Sequence, residues 1–156
     1  MFDFEGNIRL SIKAIIIKNN KILLTYNRYR GEAFYLLPGG GQKHGEPMDE
    51  ALKRECLEEI GYHVELGQIV FIRDYIGKNH QFAVEDKEIH QVELMFFCKL
   101  LDGSLKDAQM DDTYQIGVKW IPLKALKDIN IYPCILKEAI HSDGSFDEKV
   151  YLGDSN

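Results

Sequence analysis

The chain has 156 residues, 45% of them hydrophobic and 28% charged, with a net charge of −6. That length predicts one domain over residues 1–156, able to close a core without disulfides or a structural metal. The acidic balance argues against a general nucleic-acid binder, which presents a basic face, and the longest aliphatic run, Ala14 to Ile17, is too short to span a bilayer. The opening MFDFEGNIRLS lacks the charged-then-apolar pattern of a secretory signal. Cys56, Cys98 and Cys134 are far apart and lie among apolar residues, so they read as buried thiols in a reducing compartment, with the cytoplasm as default.

Ile8 to Lys18 is rich in β-branched residues and predicts a buried strand. After the Asn19-Asn20 turn, Lys21 to Tyr29 predicts its hairpin partner. Phe34 to Leu37 reads as a short strand that Pro38 and the following glycines end. Pro47 to Ile60 is the clearest helix, with proline in the first turn and Gly61 as its stop. Val64–Tyr75, Gln91–Leu101 and Gln115–Trp120 predict further strands. The segments 76–89 and 106–114 read as loops. Pro122–Lys127 and Tyr132–His141 read as short helices, and the tail from Val150 as a last strand or a frayed end. Strands dominate and helices alternate unevenly, which predicts an α+β or α/β sandwich with a mixed sheet.

The stretch GGGQKHGEPMDEALKRECLEEIGY, residues 39–62, concentrates the chemistry. Gly39 and Gly40 allow a backbone to approach a phosphate closely, and carboxylates hold hard divalent cations. On a helical wheel Leu52, Cys56, Leu57 and Ile60 share an apolar arc. Ala51, Glu55, Glu58 and Glu59 fall on the adjoining arc. Like charges at this spacing destabilise a helix by roughly 0.2–0.5 kcal/mol per pair, so something must offset them. Arg54 reaches Glu58 at i+4, and a divalent cation would offset far more.

These residues also resemble a known motif. The box G-x5-E-x7-R-E-U-x-E-E-x-G-U, with U a bulky apolar residue, is matched from Gly40 through Glu46, Arg54, Glu55, Glu58, Glu59 and Gly61 to Tyr62. Cys56 is a small U and Tyr62 a polar one. The chain is similar in this stretch to the Nudix hydrolases. Leu37-Pro38-Gly39-Gly40 and Trp120-Ile121-Pro122-Leu123 resemble the family's flanking segments. The resemblance implies an α/β/α sandwich around a mixed sheet. It implies an enzyme hydrolysing the pyrophosphate of a nucleoside diphosphate linked to a moiety X, such as a nucleoside triphosphate, an ADP-ribose-like compound or a nucleotide sugar. By position, Glu55 and Glu59 would bind Mg2+ or Mn2+, Glu58 would add a ligand or hold a metal-bound water, and the Gly40 carbonyl would be a further ligand. Arg54 would orient the glutamates and Glu46 would support the loop–helix junction. The catalytic set implied is therefore Glu55, Glu58, Glu59 and Arg54. A homodimer is common in the family. A Nudix-fold binding or regulatory module without turnover is the alternative, and intact glutamates argue against it.

Outside the box, Arg28 is a candidate phosphate contact, because its planar fork matches phosphate oxygens. Glu85, Asp86 and Glu88 in one loop, and Asp111 and Asp112 in another, are candidates for the general base or an extra metal ligand. Glu93, in an apolar strand, faces either the site or solvent. His44 reads as a solvated loop residue. The substrate is a small nucleotide rather than a nucleic-acid polymer, and no membrane partner is expected.

Overall fold

The computed structural model describes residues 6–110 and 114–156. In chain order the strands are β1 (Arg9–Ile15), β2 (Ile17–Lys18), β3 (Lys21–Tyr29), β4 (Glu32–Leu36), β5 (Gly39–Gly41), β6 (Tyr62–Ile76), β7 (His90–Gly103), β8 (Gln115–Pro122), β9 (Ile131–Tyr132) and β10 (Tyr151–Asp154). The α-helices are α1 (Met48–Ile60), α2 (Ala83–Asp86) and α3 (Leu136–Ala139). One mixed sheet runs β10-β6-β7-β1-β5, and a second runs β2-β3-β4-β9 with β8 also on β3. The mixed α+β class read from the sequence is the class observed.

The long apolar run at the start of the chain serves two sheets rather than one hairpin. β1 pairs in parallel with β7 and antiparallel with β5, whereas only β2 turns back on β3. Ile15 packs with Leu24, Phe71, Met95 and Leu136, while Ile16 packs with Ile12, Leu23, Leu52 and Cys56. Alternation within β1 already sends Ala14 to one core and Ile15 to the other, and after Ile15 the chain leaves the first sheet, so that β2 pairs with β3 in the second.

α1 covers the second of those cores with Ala51, Leu52, Cys56 and Ile60, all fully buried. Leu57 is 40% exposed and Ala51 is fully buried, which exchanges their expected sides. The helix seats itself on the boundary between its two arcs, so the glutamates beside that boundary are drawn towards the sheet. Pro47 is the N-cap, extended at φ −67° and ψ 161°, and the helix begins at Met48. Gly61 ends it in the left-handed conformation at φ 72° and donates its N–H to the Leu57 carbonyl at 3.1 Å, as the stop signal predicts. The opposite core is closed by a 3-10 turn at Leu123–Asp128 and by α3.

Other differences are local. The glycine cluster read as a strand terminator is itself a strand, β5, with Gly39, Gly40 and Gly41 opposite Lys13, Ile12 and Ser11. The Tyr132–His141 helix shrinks to the single turn of α3, because Tyr132 lies in β9 beside β4. The 76–89 segment holds a 3-10 turn at Gly77–Asn79 and the short α2. The tail forms β10, parallel to β6. Cys56 and Cys98 are buried, but Cys134 is only partly so; none is in a disulfide. No helix among the described residues is long and apolar enough to cross a membrane.

Candidate functional site

A cavity of about 590 Å3 opens where α1, β5 and the polar face of the first sheet meet. Strand alternation builds its floor. Successive side chains point to opposite faces, so Leu10, Ile12 and Ala14 go to the core side and Arg9, Ser11 and Lys13 to the cavity. The register carries this face across the sheet: Arg9 lies opposite Gln91, Ser11 opposite Glu93 and Gly41, and Arg73 opposite Glu93. All of these residues line the cavity.

The α1 carboxylates approach this floor from the glycine strand. A Cβ on Gly40 would stand 2.7 Å from the Glu55 carboxylate carbon, so the strand admits Glu55 only because residue 40 has no side chain. The Gly39 N–H donates to Glu59 Oε2 at 2.7 Å, and Gly39 itself has φ 132° with Ile12 and Lys13 backbone packed against it. Arg54 lies behind. Its Nε and Nη2 donate to Glu46 at 3.1 and 2.7 Å, its Nη1 donates to Glu55 at 2.8 Å, and it stands 3.6 Å from Glu58. Glu55 is 17% exposed, whereas Glu58 is 43% exposed. The hydrogen bonds from Arg54, joined by the Lys43 N–H, hold the Glu46 carboxyl at about 2, below its ordinary 4.5. The same hydrogen bond raises the already high pKa of Arg54. Arg54 is therefore a fixed cation between Glu46 and the α1 carboxylates of Glu55 and Glu58.

The end of α1 is clamped by parts of the chain that the motif does not contain. Gln115, buried at the start of β8, donates Nε2 to the Glu59 carbonyl at 2.8 Å. The Gln109 N–H donates to the Glu58 carbonyl at 2.8 Å. Cys56 is fully buried and burial pushes its thiol well up, as expected of an inert core thiol rather than a nucleophile.

The far wall is aromatic. Phe34 and Phe82 each meet Tyr132 edge-on, with ring centroids 6.0 and 5.2 Å away, and all three line the cavity. Phe82, Glu85 and Asp86 arrive on the segment around α2. Asp86 accepts the Tyr75 hydroxyl at 2.6 Å, and Glu85 pairs with exposed Arg30 at 3.3 Å. The tail pins this segment: Asp154 accepts from the Ile76 N–H at 2.9 Å and from Asn79 Nδ2 at 2.8 Å, and lies 2.6 Å from His80 Nε2.

The structure therefore brings Gly39, Gly40, Glu55, Glu58, Glu59, Glu85 and Asp86 to one cavity. Glu46 and Arg54 stand behind it. Glu88 is exposed and Arg28 is exposed on β3; neither lines the cavity. Asp111 and Asp112 lie outside the described residues. Glu93 faces the site: it is 3% exposed and pairs with buried Arg73 at 3.0 Å. His44 is exposed. Sequence reasoning missed Arg9, Lys13, Arg73 and Gln91. The signal was present as polar residues at period two within apolar strands, but a single strand does not say which cavity its polar face joins. Among the described residues, no three His, Cys, Asp or Glu side chains converge on one point in this arrangement.

The NUDIX domain model matches residues 8–138. The nucleoside triphosphatase NudI of Enterobacter sp. (strain 638) is 27% identical over 99 residues, 62% of this chain and 67% of that protein. The protein of the same name from Salmonella newport (strain SL254) is 32% identical over 101 residues, covering 62% and 69%. Among solved structures, an ADP-ribose pyrophosphatase from Streptococcus suis 89-1591 shares the fold, with a TM-score of 0.65 and 22% identity over 95% of this chain and all of that one.

Proposed function

The chain belongs to the NUDIX family and is a pyrophosphohydrolase of that kind, and we propose that it uses Mg2+ or Mn2+ to hydrolyse a nucleoside diphosphate linked to a moiety X, with nucleoside triphosphates first among the substrates. The observation that carries the reading is the approach of Glu55 and Glu59 to the glycine strand at the cavity edge, with Arg54 fixed behind them.

The donor chemistry fits a hard cation. Glu55, Glu58 and Glu59 offer only carboxylate oxygens, Gly40 packs against the Glu55 carboxylate and adds its carbonyl as a candidate ligand, and such sets favour Mg2+ or Mn2+ over zinc. When bound, the ion would neutralise phosphoryl charge and make water a better nucleophile. The chain's own residues do the rest. Arg54 holds Glu55, and the Gly39 N–H holds Glu59, so both carboxylates are oriented before substrate arrives. Phe34, Phe82 and Tyr132 offer ring faces and edges for a planar base or for X. Glu85 and Asp86 stand on the wall as candidates for a proton acceptor or a further ligand. The names of the NudI relatives favour triphosphates over nucleotide sugars. Free thiols at Cys56, Cys98 and Cys134 suit the reducing cytoplasm.

The test is a panel of nucleoside triphosphates, ADP-ribose and nucleotide sugars, assayed with Mg2+ or Mn2+ and again with EDTA. Turnover that EDTA abolishes and added metal restores is the expected result. Glu59→Gln should retain the fold and lose more than the roughly 10–100-fold typical of an outer-shell partner. Undiminished activity in that variant would refute the metal assignment.

A further inference from the structure

Arg9 is an exposed cation on the cavity floor, which it shares with Lys13, whose Nζ donates to the Gly39 carbonyl at 2.8 Å. The Arg9 guanidinium lies along the glycine strand: a Cβ on Gly41 would stand 2.9 Å from Nη2 and 3.0 Å from Nε. Nη1 donates to Gln91 Oε1 at 3.0 Å. Gln91 in turn donates Nε2 to Glu93 Oε2 at 3.0 Å, and the other Glu93 oxygen accepts from Arg73 Nε at 3.0 Å. Arg73 also donates to the Ser155 carbonyl. The four side chains form a row across β1, β7 and β6.

The two arginines in this row differ. Arg73 is 5% exposed, and its charge is neutralised by Glu93. Arg9 is exposed, and among the described residues its side chain has a neutral amide as its hydrogen-bond acceptor and no carboxylate within salt-bridge distance. A guanidinium oriented by an amide keeps its charge and most of its five donors for an anion. It sits on Gly41, next in the strand to Gly40, over which Glu55 lies. The carboxylates and this cation thus flank the same three-residue strand.

We propose that Arg9, oriented by the Gln91–Glu93–Arg73 row, binds the phosphoryl oxygens of the substrate's diphosphate, and that Arg28 does not. The proposal rests on the hydrolytic reading for its ligand class but assigns a different residue from the sequence expectation. Arg28 is exposed on β3 and does not line the cavity, whereas Arg9 does. Glycine at position 41 is part of the device, because any side chain there would displace the guanidinium.

The experiment is equilibrium titration of the full chain with inorganic pyrophosphate in the presence of Mg2+, followed by calorimetry. Saturable binding by the wild type, weakened at least about 10-fold by Arg9→Met and less by Arg9→Lys, is the supporting result, since a bidentate fork is what lysine cannot reproduce. Gln91→Leu should weaken binding by a smaller factor while leaving circular dichroism unchanged. Equal affinity in Arg9→Met, the loss appearing in Arg28→Met instead, or no saturable binding by the wild type would overturn the assignment. Steady-state kinetics on the best nucleotide add a second readout: Arg9→Met should raise KM more than it lowers kcat. The binding arm needs no turnover, so an unaltered Glu59→Gln rate would sink the metal reading while leaving this one standing.

Discussion

At Gly40 the local chemistry is decided by the absence of a side chain. Its neighbour across the gap is the Glu55 carboxylate, close enough that a methyl group would stand 2.7 Å from it. Gly40→Ala should therefore push Glu55 off its hydrogen bond with Arg54. We expect activity to fall at least about 10-fold, the lower range for disturbing a ligand's supporting shell. The fold should survive, because the obstructing atoms belong to a side chain that can swing away. Thermal melting and turnover measured on one preparation separate the two effects. Gly39→Ala differs, since a Cβ there meets the Ile12 carbonyl oxygen at 2.1 Å and the backbone is at φ 132°. The motif spacing made Glu46, Arg54, Glu55, Glu58 and Glu59 legible as a group, because helical geometry alone gathers the last four. It did not make Arg9 legible, because its place at the site depends on Gln91, 82 positions away in the chain.

The segment joining β6 to β7 shows what elements contribute that residues alone do not. From sequence it is a polar loop. In the fold it carries Phe82, Glu85 and Asp86 into the cavity wall, and it is held at its root by Asp154 of β10. Asp154→Ala removes three contacts at once, and losing hydrogen bonds to a charged acceptor costs about 1.5–3 kcal/mol each at most. The expected outcome is faster amide exchange over residues 77–89, with α1 unaffected, measured by hydrogen–deuterium exchange mass spectrometry. Uniform exchange changes across both would count against the latch. The opening strand illustrates the same limit. Its β-branched run was legible as extended structure, but its division between two sheets depends on β1 pairing with β7 and β5 and β2 pairing with β3, partners that the run itself does not name.

Over the whole molecule, acid sensitivity follows from carboxylates held low by the fold. The Glu46 carboxyl lies at about 2 against an ordinary 4.5, through Arg54 and the Lys43 N–H. Asp154 also lies at about 2 against 3.8: burial acts to raise it, but hydrogen bonds from Asn79, His80 and the Ile76 N–H outweigh that. Tyr151 and His90 lower Asp74 likewise. A folded pKa below the unfolded one means stability that is present above the unfolded value and lost as pH falls through the folded one. Melting temperature should therefore hold above about pH 5 and drop between about pH 4.5 and 2, and Glu46→Gln and Asp154→Asn should each flatten that drop. A wild-type slope unchanged in both variants would contradict the assignment of those groups.

The sequence by itself determined the strand-rich mixed class, the α1 helix with its glycine stop, and the acidic face that marks the pyrophosphohydrolase family. Each of these depends on neighbours within a few residues, where helical and strand periodicities apply directly. Only the tertiary structure decided that the glycine cluster is a strand, that Glu93 turns inward to Arg73, that Arg9 rather than Arg28 reaches the cavity, and that the tail pins the aromatic wall. Those outcomes depend on register between strands distant in sequence, and periodicity within one strand carries no information about its partner.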